Sequence, residues 1–326
     1  TICAMSSAAE SSTAELAVLV VGNAVLDLLL RDVNATPGAA ADAWADNVQL
    51  LAQPIETALG GGGAAAAYVL GRLGQPVVLH SNLGTDRWGM LLRNWLQEAG
   101  VRLSEPAAAA TAVNIILLTP AGKRHALYYP GESVVWGCFP SAASAAGRPD
   151  WLLASGYGGV SAADATALLD LFRSARQQGC RVMFDPSPWF SSRISAEQMR
   201  ALWAETDCLV GTEEELTFWQ PADSVEALAA SLLNCGPAQV VIKRGGDGAQ
   251  YAERAGAHGQ VSVTPVAQAN TVGAGDTFNG RLLYGLCQGE SLAEATAAAA
   301  QLAATVVKNG RGVLGAFSSE VNQTNA

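Results

Sequence analysis

Six short, largely apolar runs recur along this chain: Ala17–Asp27, Val77–Asn82, Trp151–Ser155, Arg181–Asp185, Cys208–Val210 and Gln239–Lys243. Between them lie segments with helical patterning, near 62–73, 86–99, 161–178, 195–205, 223–234, 276–288 and 292–308. Strands that are apolar along their length, rather than alternating, are buried on both faces. Interleaved helices supply the two covers. The pattern therefore predicts an α/β fold, a doubly wound, mostly parallel sheet flanked by helices. A chain of 326 residues, half of them hydrophobic, can bury a core of that size.

The last helix carries its own stop and start signals. Ser291 and Glu294 have capping-box spacing, and Gly310 stands where a helix would end. Leu292, Ala295, Ala299, Leu302 and Val306 form one apolar stripe, read as core packing. Two regions break the alternation. Residues 28–59 are rich in Ala and Asp, and residues 112–130 resemble a β-hairpin around Pro120-Ala121-Gly122. Together, as segments of about 28–59 and 104–134, they are expected to add a small β-strand lid to one α/β domain over 16–326. Residues 1–15 read as a flexible tail. The apolar run at 16–30 is not taken as a signal peptide. No Lys or Arg precedes Arg31, and Asn23 and Asp27 interrupt the run. A cytoplasmic protein without a membrane partner is expected.

Acidic residues outnumber basic ones 29 to 19, giving a net charge of -10, and no basic run is longer than Lys123-Arg124 or Lys243-Arg244. Phosphate-backbone binding needs clustered cations, so a nucleic-acid partner is excluded. The six cysteines lack CxxC or metal-type spacing and read as reduced thiols. His80, His125 and His258 are unclustered, and structural or surface roles are expected for them.

The stretch NTVGAGDTFNGRLLYGL at 270–286 is different in kind. Gly273-Ala274-Gly275-Asp276 stands where a turn becomes a helix, and the free amides of residues 273–276 would converge there as an anion site. A carboxylate beside that site is costly unless a proton transfer or a cation relieves it. The combination suits phosphoryl transfer, with amides stabilising charge on the moving group and a carboxylate accepting the proton of an attacking hydroxyl. A flexible turn with Asp276 as the helix cap is the competing reading. No GxxxxGK[ST], HRD, DFG or GxSxG pattern is present, and the glycine run at 60–63, followed by Ala64-Ala65-Ala66, does not fit GxGxxG.

Several motifs in order make the chain resemble the ribokinase-like, PfkB-type carbohydrate kinases over about residues 16–315. Asn270 to Asp276 is similar to that family's DTxGAGD signature. GGGGAAAAYVLGRLG at 60–74 and Gly84-Thr85-Asp86-Arg87-Trp88-Gly89 resemble its N-terminal signature. Gly22 to Asp27 resembles its first strand, and VVIKRGGDGA at 240–249 its nucleotide-side strand and turn. The resemblance implies an ATP-dependent kinase acting on a hydroxyl, expected to be a hydroxymethyl, of a sugar or sugar-like small molecule. It implies Asp276 as general base, with Gly273, Ala274 and Gly275 as the anion hole. Asp27 and the Gly61, Gly62 and Gly63 backbone would contact the sugar. Lys243, Gly245 and Gly248 would line the nucleotide. Glu215 and Asp185 would serve Mg²⁺, and Asn270 would lie near a monovalent-cation site for K⁺. Ala65 and Thr212 replace family asparagines, and the Ala64–Ala67 wall would leave room for a bulkier substrate. A nucleoside kinase of the same fold, or a non-catalytic sugar- or nucleotide-binding protein, are the alternatives. An exposed lid edge would offer a second copy a surface for a homodimer.

Overall fold

The structure is a computed structural model and describes residues 18–33, 50–103, 109–119, 124–132, 148–155, 162–187, 194–266 and 271–317. The expected N-terminal tail and Asn270 lie outside the described residues. In chain order come β1 (Val18–Val21), β2 (Val25–Leu30), β3 (Glu56–Gly60), α1 (Gly62–Arg72), β4 (Val77–His80) and α2 (Arg87–Glu98). Next are β5 (Arg102–Leu103), β6 (Ala112–Leu118), β7 (Arg124–Tyr129), β8 (Trp151–Ser155), α3 (Ala162–Gln177) and β9 (Arg181–Asp185). They are followed by α4 (Ala196–Ala204), β10 (Cys208–Thr212), α5 (Glu213–Trp219), α6 (Val225–Asn234) and β11 (Gln239–Lys243). The described chain closes with β12 (Ala249–Glu253), β13 (His258–Val261), α7 (Ala274–Cys287) and α8 (Leu292–Asn309).

Nine strands form one sheet in the order β13-β12-β11-β10-β9-β8-β1-β4-β5. All its pairs from β11 to β5 are parallel, and only β12 runs the other way, pairing antiparallel with β11 and with the edge strand β13. The apolar character of β1 has the expected cause. Val18 and Val20 pack into the core shared with α1, α2, α7 and α8, while Leu19 and Val21 pack into the core shared with α3, α4 and α6. Because β4 and β8 flank β1 on opposite sides, the chain reverses its direction of travel across the sheet there. A crevice opens beyond the carboxyl ends of the strands at such a point.

A smaller sheet, β3-β2-β6-β7, lies apart from the first. Here the sequence reading needs correcting. Ala17–Asp27 is not one strand, because the chain leaves the large sheet at Gly22–Ala24 and resumes in the small one as β2. The backbone is too crowded at that point for continuation. A Cβ on Gly22 would lie 1.8 Å from the Ser155 carbonyl oxygen and 2.8 Å from the Gly63 Cα. The Ala24 amide then donates to Asn82 Oδ1 (3.0 Å), and the Gly62 amide to Asn23 Oδ1 (3.1 Å), which fixes the exit. The small sheet thus begins at Val25, and the expected hairpin is present as β6 and β7.

The glycine- and alanine-rich run of α1 lets three pieces of backbone approach closely. Ala64, Ala65, Ala66 and Ala67 are fully buried in the core, and a Cβ on Gly280 of α7 would meet the Ala66 carbonyl at 2.8 Å. Asp86 caps α2 through Gly89 (2.8 Å) and also accepts from the Thr111 hydroxyl (2.6 Å) and amide (3.0 Å), anchoring the approach to β6. The capping box of α8 is present, and Gly310 ends the helix in the left-handed conformation. Among the described residues no helix is long and apolar enough to cross a membrane, and the four described cysteines are unpaired.

A methyl group at Gly22 has nowhere to go except into the β8 carbonyl or the α1 backbone. Gly22→Ala is expected to lower unfolding free energy by about 3 kcal/mol or more, measured by chemical denaturation. An unchanged midpoint would contradict this packing.

Candidate active site

Five strand ends converge on one cleft. Asn23 just beyond β1, Ser155, Asp185, Thr212 and Lys243 form its floor. Val25, Asp27, Asn114, Arg124, Ala126 and Tyr128 of the small sheet line it from the other side. The starts of α1 and α7 contribute Gly61, Gly62, Gly273, Gly275 and Asp276, and the cleft measures about 520 Å³. A second cavity of about 470 Å³ adjoins it, sharing Thr212, Lys243, Thr271 and Gly275. Its remaining walls are mainly apolar, including Val263, Pro265, Phe278, Ala300, Ala303 and Val307, with Gly245 and Gly248 at its edge.

The bend between the two cavities is built from glycine. Gly273 is the N-cap of α7 with φ 77°, and a Cβ there would approach the Val313 amide nitrogen to 2.9 Å. The Ala274 amide folds back onto the Thr271 carbonyl (3.2 Å), and the Thr277 amide makes the first helical bond to Gly273 (3.0 Å). Among the described residues the amides of Gly273, Gly275 and Asp276 make no backbone hydrogen bond. They, rather than Ala274, are the free donors at this helix start. Asp276 is the third residue of the helix and not its cap, which removes the capping reading.

Beneath the bend lies a compact charge cluster. Lys243 Nζ donates to Asp185 Oδ2 (2.9 Å) and Asn279 Oδ1 (3.3 Å), and Asn279 Nδ2 also donates to Asp185 Oδ2. Asp185 Oδ1 accepts from the Ser187 amide (3.1 Å). Three protein donors therefore contact this carboxylate, which is the counterion of Lys243. Glu215 forms a capping box with Thr212, its Oε2 accepting from the Thr212 amide (2.8 Å) while its own amide donates to Thr212 Oγ1 (3.2 Å). Burial pushes the Glu215 carboxyl up, and the neighbouring Asp185 adds to the rise. Burial likewise raises Asp276 to about 6, with Lys243 opposing and Asp185 and Glu215 reinforcing the shift. For Lys243 itself burial favours the neutral form, but Asp185 and Glu215 outweigh it and the net shift is upward.

Asp27 sits in β2 opposite Asn114, whose Nδ2 donates to Asp27 Oδ1 (3.1 Å). Burial raises this carboxyl to about 7, against the Asn114 hydrogen bond and the charge of Arg124. A Cβ on Gly60 would stand 2.3 Å from Asp27 Oδ2, so glycine at 60 makes room for the carboxylate.

Of the residues expected at a site, Asp27, Gly61, Gly62, Asp185, Glu215, Lys243, Gly273, Gly275 and Asp276 line the first cleft. Ala274, Gly245 and Gly248 line the second cavity, which Lys243 and Gly275 also reach. Gly63 is turned instead onto the Gly22 backbone. Ala64–Ala67 do not form a wall of the cleft, contrary to expectation, because α1 presents them to the core. None of the three histidines lines either cavity. Sequence reasoning missed Asn23, Asn114, Tyr128, Arg124 and Asn279. Only Asn279 carried a signal, a polar residue one turn beyond Asp276 on an otherwise apolar helix face.

Residues 18–314 match the family model for pfkB family carbohydrate kinases. The chain belongs to that family, and it is a carbohydrate kinase. A probable fructokinase-4 of Arabidopsis thaliana is 27% identical over 243 residues, covering 69% of this chain and 72% of that protein. A 5-dehydro-2-deoxygluconokinase of Clostridium perfringens is 26% identical over 265 residues, covering 76% and 78%. Among solved structures, Arabidopsis thaliana ribokinase complexed with ribose and ATP superposes with a TM-score of 0.73 at 21% identity, covering 92% of this chain and 95% of that one. The mostly parallel large sheet and the small second sheet are those of ribokinase structures.

The raised Asp27 pKa has a consequence for stability. The fold favours the protonated form, so the favourable contribution is complete below the ordinary value of 3.8 and is lost as pH rises through about 7. At pH 8 the buried charge is a net cost, on the order of 4 kcal/mol at most. Asp27→Asn is therefore expected to melt above the wild type at pH 8, with the advantage gone by about pH 4, as scanning calorimetry across pH would show.

Proposed function

We propose that this kinase transfers the γ-phosphoryl group of ATP to a hydroxyl of a sugar-like acceptor, with Asp276 as general base. The observation that carries the reading is the position of Asp276 beside three uncommitted amides, on a bend whose Gly275 faces both cavities. The acceptor occupies the polar cleft, where Asp27 and Asn114 offer hydroxyl partners. The nucleotide base lies between the apolar walls of the second cavity, and its phosphates reach the bend past Lys243. An alcohol placed against Asp276 loses its proton to the carboxylate as its oxygen attacks the phosphorus. Charge on the transferred group is met by the amides of Gly273, Gly275 and Asp276 at the positive end of α7. The small sheet covers the acceptor and keeps water from taking its place.

The residues present fit Mg²⁺ held largely by phosphate and water. Among the described residues no three His, Cys, Asp or Glu side chains form a metal cage. Glu215 lines the cleft with one oxygen committed to Thr212 and one left over, which suits a water-mediated contact. Bound there, such an ion would supply positive charge against the phosphate oxygens. Hydroxyl-rich acceptors rather than nucleosides are favoured because Asn23, Asp27 and Asn114 bring hydrogen-bonding groups to the cleft. The fructokinases, the 5-dehydro-2-deoxygluconokinase and the ribose-bound ribokinase are similar proteins of this kind.

Steady-state kinetics test the assignment of the base. Asp276→Asn should lower kcat by about 10²-fold or more, while calorimetry finds nucleotide affinity little changed. The wild-type kcat/KM should fall with acid along a limb near the Asp276 value of about 6, and Asp276→Asn should lose that limb. Retention of wild-type kcat by Asp276→Asn would remove Asp276 from the reaction.

A further inference from the structure

Two cations line the acceptor cleft, Lys243 and Arg124. Lys243 is paired with Asp185 and donates to Asn279. Arg124 is not so paired. It opens β7, paired across from Leu118, and shares the cleft-lining face with Ala126 and Tyr128 at two-residue intervals. Its guanidinium makes no hydrogen bond or ion pair among the described residues, although it stands near enough to Asp27 to act on it through space. The same cleft holds an uncommitted acceptor. Asn114 Nδ2 is used on Asp27, while Asn114 Oδ1 is buried and without a partner among the described residues.

These two groups ask for complementary chemistry. A guanidinium offers a planar fork of donors matched to a carboxylate, and a buried amide oxygen without a partner needs a hydroxyl or N–H. We infer that the acceptor is a hydroxylated carboxylic acid, a sugar acid, whose carboxylate binds Arg124 while one of its hydroxyls donates to Asn114 Oδ1. The inference rests on the sugar-kinase reading of this cleft and specifies its substrate class. A phosphorylated sugar would also match the fork, but the charge balance opposes it. The cleft already contains Asp27, Asp185, Glu215 and Asp276 and must face a nucleotide as well, so one free cation balances a monoanion better than a dianion. A wholly neutral sugar would leave the exposed Arg124 guanidinium to solvent.

The test is ADP release measured with D-gluconate and 2-keto-D-gluconate, with D-fructose and D-ribose, and with D-fructose 6-phosphate, using wild type, Arg124→Gln and Arg124→Lys. An acid is expected to exceed the better neutral sugar in kcat/KM by about tenfold or more. Arg124→Gln should reduce that acid-to-neutral ratio at least tenfold, acting on KM, and Arg124→Lys should restore part of it. A purely structural role would lower all substrates together and leave the ratio unchanged, which overturns the inference. Preference for a neutral sugar, or for the hexose phosphate, overturns it too. Calorimetry with a non-hydrolysable ATP analogue separates the two readings. Acid binding that depends on Arg124 without any ADP release upholds the inference and sinks the kinase chemistry. Release with neutral sugars alone does the reverse, and failure of both acids to bind counts against the inference.

Discussion

One nearly buried ammonium, that of Lys243, holds the floor of the cleft together. It joins the end of β11 to the end of β9 through Asp185 and to the first turns of α7 through Asn279. Three carboxylates, those of Asp185, Glu215 and Asp276, feel its charge. Without it they would stand against one another in a poorly solvated pocket, and breaking such a pair costs about 3–5 kcal/mol. The cluster therefore does two things at once. It fixes α7 against the sheet, so that the bend at its start borders the cleft, and it keeps Asp276 within reach of ionisation near neutral pH.

Around that cluster the two sheets divide the labour. The large sheet supplies strand ends and the amide-bearing bend, the parts that any phosphoryl transfer of this kind would share. The small sheet supplies Asp27, Asn114, Arg124 and Tyr128, side chains that meet whatever lies on the far side of the bend. The crossover at Gly22–Ala24 makes this division possible, since a chain that continued straight would have kept Asp27 in the large sheet.

The large sheet was legible in the sequence because burial on both faces leaves continuous apolar runs, as in Leu152-Leu153 of β8 and Val240-Val241-Ile242 of β11. The split between β1 and β2 was not. Both halves are apolar, and the crowding at Gly22 comes from Ser155 and Gly63, which are remote in sequence. Strand β13 was missed because its residues, HGQV, have little apolar content, and β3 was read only as part of the 28–59 lid segment. Within the site, the bend announced itself by its glycines, and Asp27 and Glu215 by resemblance to known kinases. Asp185 was seen, but its pairing with Lys243 was not, since that counterion lies 58 residues away on another strand. Asn23, Asn114 and Arg124 carry no local mark, for only the pairing of strands brings them to the cleft.

The most direct measurement is of the Asp276 carboxyl itself. Carbon-13 NMR of protein labelled at the aspartate side-chain carboxyls, titrated from acid to neutral pH, isolates one resonance by its absence from Asp276→Asn. The charge cluster predicts a midpoint near 6 for that signal. A midpoint at the ordinary carboxylate value, close to 3.8, would mean that Asp276 is well solvated, and the account of the site would fail.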